Sequence, residues 1–107
     1  GKLTLGENIA DLGGVALAQR AHARVSAASP DVDGLTPAQR FFLAMATVWR
    51  GRMSDELART YAQIDPHSPR RWRVHGPLAN SDAFQEAFGL ADDSPMLRSR
   101  DARIEIW

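Results

Sequence analysis

The sequence has 107 residues, of which 44% are hydrophobic, and its 13 basic and 13 acidic residues give a formal net charge of zero. A chain of this length can form a single domain with its own core, and the neutral charge argues against nucleic acid or an anionic membrane surface as a partner. The absence of cysteine excludes disulfides and thiolate metal sites from the chain, while its longest apolar run, FFLAMATVW, is too short to span a bilayer.

The first predicted element is a helix from about Leu5 to about Ala27. Thr4 and Glu7 have the spacing of a capping box, and apolar residues recur behind them at helical intervals. A loop rich in serine, aspartate, proline and glycine is expected to follow this helix.

Two pairs of residues in this first helix oppose its stability. Glu7 and Asp11 lie four residues apart, so that two like charges share one face. Gly13 and Gly14 follow, and glycine is a poor helix former. Both pairs are explained if a cation lies over the carboxylates and another backbone approaches the glycines. In the alternative interpretation, the acids are ordinary polar positions and the helix is loose or kinked.

The second predicted helix begins with the N-cap Thr36, Pro37 at its first position and Gln39 as the capping partner, and it ends near Gly51. Its centre, residues 41–49, is apolar nearly all round and is expected to be deeply buried.

Two further helices are expected in the middle of the chain. Ser54 caps a third helix, which Asp65 and Pro66 end. Ser68 and Pro69 then start a short fourth helix, and a break is expected at its Gly76-Pro77 sequence.

A short fifth helix capped by Asn80 or Ser81 ends at Gly89. The tail from Leu90 onward has no helical period, and its end, ARIEIW, is expected to be extended. The predicted fold is therefore a mainly α, irregular bundle of about four to five helices in one domain, residues 1–107. Its three tryptophans are expected to be core anchors: Trp49, Trp72 and Trp107.

A histidine and a basic run are the other candidate functional features. His67 lies between two prolines and two residues after Asp65, and a carboxylate so placed can orient the ring and keep it protonated, which suits the stabilisation of negative charge. A capping or surface role is the alternative. The basic run at residues 70–73 could bind phosphate or form a solvated helix face. The neutral net charge of the chain disfavours phosphate binding, so a solvated face is expected. Three histidines and no cysteine do not make a complete zinc site.

The sequence contains the stretches LTLGENIADLGGVALA, FFLAMATVWRG and IDPHSPRRWRVHGPLANSDAFQEAFG and the terminal W. Together, these four stretches resemble the C-terminal end of the neprilysin and endothelin-converting-enzyme family of zinc metallopeptidases. The resemblance covers nearly all of the chain from Leu3. It implies the C-terminal part of a thermolysin-like catalytic domain, with Zn²⁺ as cofactor, peptides as substrates and the rest of the same domain as a partner.

The resemblance also implies roles for five residues. Glu7 matches the third zinc ligand and Asp11 the carboxylate that orients a ligand histidine. His67 matches the histidine that donates to the oxyanion, Asp65 the acid that supports it, and Arg73 the arginine that binds the peptide backbone. The upstream His-Glu-x-x-His helix, with the general base and two zinc ligands, does not occur in these 107 residues, so the chain alone is expected to be inactive and to retain no zinc.

Animal members of that family have cysteines where this chain has Arg50, Leu90 and Ile104, which favours a bacterial origin. Export to the periplasm or beyond is expected, directed by an upstream segment. The exposed active-site face is also expected to allow dimerisation of the isolated chain.

Two alternatives to a peptidase remain. In a non-catalytic helical binding module, Glu7 and Asp11 would dock a basic helix, and residues 70–73 would recognise an acidic one. In a pseudoenzyme, the upstream motif would be degenerate.

Overall fold

In the computed structural model, residues 2–106 are described, and their architecture is a bundle of helices. The expected mainly α fold of four to five helices is confirmed, and one 3₁₀ turn, Arg100–Ala102, interrupts the tail. The sequence pattern gave no sign of this turn. The helices are α1 (Leu5–Ser26), α2 (Pro37–Val48), α3 (Asp55–Ile64), α4 (Arg70–Ala79) and α5 (Asp82–Phe88).

Helix α1 packs against both α2 and α4, and α2 packs in addition against α5. The small core lies where α2, α4 and α5 meet, and Phe42, Leu78 and Phe84 are its buried residues. The rings of Phe42 and Phe84 meet edge to face with their centroids 5.4 Å apart, an arrangement that aromatic pairs prefer. Helix α4 contributes to this core and also packs against α1, and the candidate site lies between α4 and α1.

Most of the predicted helix ends are confirmed. Thr36 and Gln39 form a capping box, and Ser54 and Ser81 accept hydrogen bonds from the first turns of α3 and α5. Gly89 ends α5 in the left-handed conformation, with φ of 58°, where glycine has no steric penalty. Local capping chemistry therefore sets these boundaries.

Three local expectations were wrong. Thr4 makes no side-chain capping hydrogen bond, because its backbone is already helical and an N-cap requires an extended one. Pro69, rather than Ser68, occupies the N-cap of α4. Helix α4 also continues through Gly76-Pro77, although Pro77 has no N–H to donate to the carbonyl one turn earlier; Pro77 is buried, and its packing in the bundle compensates for that missing bond.

The burial expected for residues 41–49 holds for one residue. Phe42 is 2% exposed, whereas Leu43 and Val48 are exposed, because α1 and α5 cover only one side of α2. Trp72 is also exposed, by 52%, and is no core anchor. Trp107 lies outside the described residues. Between residues 2 and 106, no helix is both long and apolar enough to cross a membrane.

Candidate active site

The two carboxylates of α1 share one cation, which comes from α4. Arg73 donates two hydrogen bonds to Asp11, from Nε to Oδ2 and from a terminal nitrogen to Oδ1, each 2.7 Å long. The same terminal nitrogen lies 3.6 Å from Glu7 Oε2. A guanidinium matches a carboxylate in this two-point geometry. The like-charge pair that opposed the helix is therefore compensated within the chain itself.

The guanidinium of Arg73 is held on its planar face as well as at its edge. Its guanidinium carbon lies 4.0 Å from the centroid of the Trp49 ring, a distance at which a cation and an aromatic face attract. The side chains of Arg73 and Asp11 are only 13% and 16% exposed. The hydrogen bonds with Asp11 raise the pKa of Arg73 further above its usual value, while partial burial opposes that shift. Arg73 is therefore a fixed positive charge.

The loop between α3 and α4 orients His67 toward α1. Asp65 Oδ1 accepts a 2.9 Å hydrogen bond from the backbone N–H of His67 and lies 2.7 Å from its Nδ1. These contacts, the backbone bond first, hold the pKa of Asp65 below its usual value. The other ring nitrogen, Nε2, lies 3.5 Å from Glu7 Oε2. The carboxylate of Asp65 thus fixes one side of the ring and leaves the other facing Glu7.

A neutral hydrogen bond also joins this loop to α1. Ser68 Oγ donates to Asn8 Oδ1 at 2.7 Å, close to the ideal length for a hydroxyl donor. Sequence reasoning missed this contact, although both residues lie inside the stretches that carry the family resemblance. No local pattern connects two positions sixty residues apart.

All five candidate residues therefore lie in one cluster: Glu7, Asp11, Asp65, His67 and Arg73. Its inner part, Arg73 with Asp11, is shielded, whereas His67 and Glu7 are 45% and 42% exposed. The cluster thus presents an imidazole and a carboxylate on its open side. That combination can bind a metal, donate a hydrogen bond to an anion or bind a polar backbone.

The chemistry of the donors fits a zinc ion only in part. Among residues 2–106, no group of three or more histidine, cysteine, aspartate or glutamate side chains is arranged to hold a metal ion. Glu7 is one carboxylate ligand with an accessible side, while both oxygens of Asp11 are bonded to Arg73. A tetrahedral zinc site would need its other ligands from outside these residues.

The glycines behind the acids differ from each other. Gly13 is the buried residue of α1, in agreement with close packing at that position. A Cβ at Gly14 would meet nothing within 4 Å among the described residues. The expected close approach of another backbone is therefore consistent with Gly13 and has no counterpart at Gly14 in this part of the chain.

Comparison with known proteins places this chain in a family. The model of peptidase family M13 matches residues 1–104. This chain belongs to peptidase family M13. It is 41% identical to endothelin-converting enzyme 1 of Mus musculus and 40% identical to neprilysin-1 of Caenorhabditis elegans, with all of the chain covered in both cases. It spans only 14% and 15% of the lengths of those two proteins.

Solved structures agree with that membership. The zinc metalloprotease Zmp1 of Mycobacterium tuberculosis, in complex with an inhibitor, matches 98% of this chain with a TM-score of 0.92 and 37% identity. The open state of Zmp1 matches the whole chain with a TM-score of 0.93 and 38% identity. The chain covers 16% and 17% of those two structures. The expected resemblance to the neprilysin and endothelin-converting-enzyme family is thus confirmed.

Proposed function

We propose that this chain is the C-terminal part of the catalytic domain of an exported zinc metallopeptidase that cleaves small peptides. The observation that carries the proposal is the convergence of Glu7, Asp11, Asp65, His67 and Arg73 between α1, α4 and the loop before α4. Membership of family M13 and similarity to endothelin-converting enzyme 1 and to the zinc metalloprotease Zmp1 support the same reaction class.

In this proposal, Glu7 supplies one ligand to Zn²⁺, and the remaining ligands and the general base come from a His-Glu-x-x-His helix outside these residues. When bound, zinc supplies an activated water and polarises the scissile carbonyl. Glu7 suits the ligand role because its carboxylate faces the open side of the cluster and its contacts with Arg73 and His67 are 3.6 and 3.5 Å long.

Asp11 would orient a ligand histidine of that helix. Each carboxylate oxygen can accept more than one hydrogen bond, so the bidentate pair with Arg73 leaves capacity for an imidazole N–H. A carboxylate behind a ligand histidine fixes the ring and raises its basicity.

His67 would donate from Nε2 to the negative oxygen that forms as the peptide carbonyl is attacked. Its Nδ1 is bound to Asp65, which holds the ring in place, and preorganised donors of this kind stabilise charge that appears only in the transition state. Arg73, held by Asp11 and Trp49, would hydrogen-bond the backbone of the substrate and position it.

The binding-module alternative is disfavoured by the same contacts. The acidic face of α1, which would have docked a basic helix from a partner, is already bound by Arg73 of this chain. Arg73 is correspondingly not available to an acidic partner.

The deciding experiment measures zinc and peptide hydrolysis in the full-length protein. We expect one zinc per wild-type molecule by elemental analysis and hydrolysis of a quenched fluorescent peptide that a chelator abolishes. Glu7→Ala should lose both, whereas the control Glu86→Ala, at an exposed position of α5, should keep both. Equal zinc in the Glu7 variant and the wild type would refute the ligand assignment.

The chain in isolation should behave differently from the full-length protein. One carboxylate is too small a ligand set for zinc, so residues 1–107 alone should hold no zinc after chelator washing and should not cleave peptide. Stoichiometric zinc in that sample would contradict the proposal that the site is shared. Sedimentation of the same sample would show whether its open face drives dimerisation.

A further inference from the structure

We propose that Asn8 and Ser68 are positioning residues for His67, acting through the hydrogen bond between their side chains. This inference rests on the proposed peptidase function. Asn8 follows Glu7 directly in α1, and Ser68 follows His67 directly in the loop. The Asn8–Ser68 bond and the His67–Glu7 contact therefore join the same two segments side by side.

The two contacts differ in length and in their dependence on the charge of Glu7. The contact of His67 with Glu7 is 3.5 Å long, and it changes when the Glu7 carboxylate binds a cation. The Asn8–Ser68 bond, at 2.7 Å, joins two neutral groups. It can therefore hold the loop against α1 whether or not Glu7 binds a metal.

The local structure on each side makes the bond an effective support. Asn8 Nδ2 lies 3.4 Å from Thr4 Oγ1, an arrangement that leaves Oδ1 of the same amide to accept from Ser68. In the loop, Pro66 and Pro69 fix two φ angles. Since the backbone between these prolines is restricted, the position of Ser68 is transmitted to His67.

The support matters because His67 would act on an oxygen whose charge appears only during the reaction. A displacement of about 1 Å in a positioned group can reduce the rate up to about 100-fold. Asp65 fixes the ring relative to its own loop. The Asn8–Ser68 bond fixes that loop relative to α1, which carries Glu7.

The test uses the full-length protein and compares Ser68→Ala, Asn8→Ala and the double variant. We expect each single variant to lower kcat about 3- to 30-fold, with zinc content and KM unchanged within about twofold. The double variant should be no worse than the more impaired single variant, because both changes remove one bond. Ser68→Thr, which keeps the hydroxyl donor, should restore most of the activity.

Ser29→Ala, at an exposed serine, is the matched control and should resemble the wild type. The proposal is overturned if Ser68→Ala keeps wild-type kcat, if the two losses multiply in the double variant, or if kcat falls only in proportion to the folded, zinc-loaded fraction. If His67→Ala lowers kcat as expected while the Asn8 and Ser68 variants keep the kcat of the wild type, the positioning role alone fails. If the wild type has no zinc-dependent activity, the proposed function fails with it.

Discussion

Arg73 and Asp11, sixty-two positions apart in the sequence, form a two-point ion pair that ties α4 to α1. The pair is mostly shielded from solvent, and the Trp49 ring lies against the guanidinium face. Removal of Arg73 would leave the mostly shielded carboxylate of Asp11 without its cation, which is more costly than loss of a surface pair. The pair thus stabilises the bundle and fixes the group proposed to bind substrate.

Substitution of Arg73 should therefore affect both substrate binding and stability. In the full-length protein, we expect Arg73→Ala to raise KM and inhibitor Kd about tenfold or more, which corresponds to the loss of one charge-assisted hydrogen bond. Arg73→Lys should be intermediate, because an ammonium cannot bind both carboxylate oxygens in the plane of a fork. Steady-state kinetics and inhibitor titration measure both constants.

The neighbouring Arg71 is the control for this prediction. It is exposed and lies over the Trp72 ring, so Arg71→Ala should leave KM unchanged. Thermal unfolding of the same proteins separates binding from stability. Unchanged inhibitor affinity together with a lower melting temperature in Arg73→Ala would make Arg73 a purely structural residue.

His67 should contribute to turnover and leave the metal in place. Loss of a comparable oxyanion donor costs about 10²–10³-fold in rate, and we expect His67→Ala to lower kcat by that order with one zinc still bound. His75→Ala is the control, because His75 packs against the Trp72 ring and has no proposed role. Loss of zinc in the His67 variant would instead indicate that His67 holds the metal.

Asp65 should titrate at a lower pH than an ordinary aspartate. Its pKa in the folded protein is lowered by the hydrogen bonds from His67, so this carboxylate stabilises the loop above its unfolded pKa of about 3.9. That stabilisation is lost as pH falls through the lower pKa of the folded protein. The pH range in which stability changes therefore lies on the acid side, and activity near neutrality should not depend on the titration of Asp65.

Carboxyl-carbon NMR of the folded protein would measure the midpoint for Asp65. His67→Ala should move the midpoint back toward the ordinary value, since it removes the ring contact, although the backbone bond at residue 67 remains. A midpoint that does not respond to this substitution would exclude the ring as a cause of the shift.

The helix boundaries could be predicted where capping chemistry is local. The capping residues bond to groups within one turn of themselves, and a short sequence window contains that information. These residues are Thr36, Ser54, Ser81 and Gly89. The break predicted at Gly76-Pro77 was wrong, because the burial of Pro77 depends on packing across the bundle. No local pattern in the sequence indicates that packing.

The resemblance named the five residues that the structure brings together, but it did not indicate the contacts between them. Spacing put Glu7 and Asp11 on one face, yet nothing local indicated that Arg73 would compensate them. Trp49 was expected in the core and instead contacts that arginine. Each of these relationships joins residues far apart in the sequence and depends on how α1, α2 and α4 pack together.

Gln85 should be important for stability rather than for catalysis. It is buried, and its Nε2 donates to the backbone oxygen of Leu90 and to Asp92, 3.0 and 2.7 Å away. Its Oε1 accepts from Arg103, 2.8 Å away, and more weakly from Arg100. The side-chain amide of Gln85 thus joins α5 to the tail through both its nitrogen and its oxygen.

Gln85→Ala would remove these hydrogen bonds, including that of one terminal nitrogen of Arg103, whose side chain is only 8% exposed. Because an unpaired buried polar group costs about 1–3 kcal/mol, we expect the free energy of unfolding to fall by that amount. Urea unfolding, followed by a probe close to α5, would measure the change. Gln63→Ala, at an exposed position of α3, is the control, and equal stability of the two variants would show that the tail is held by other contacts.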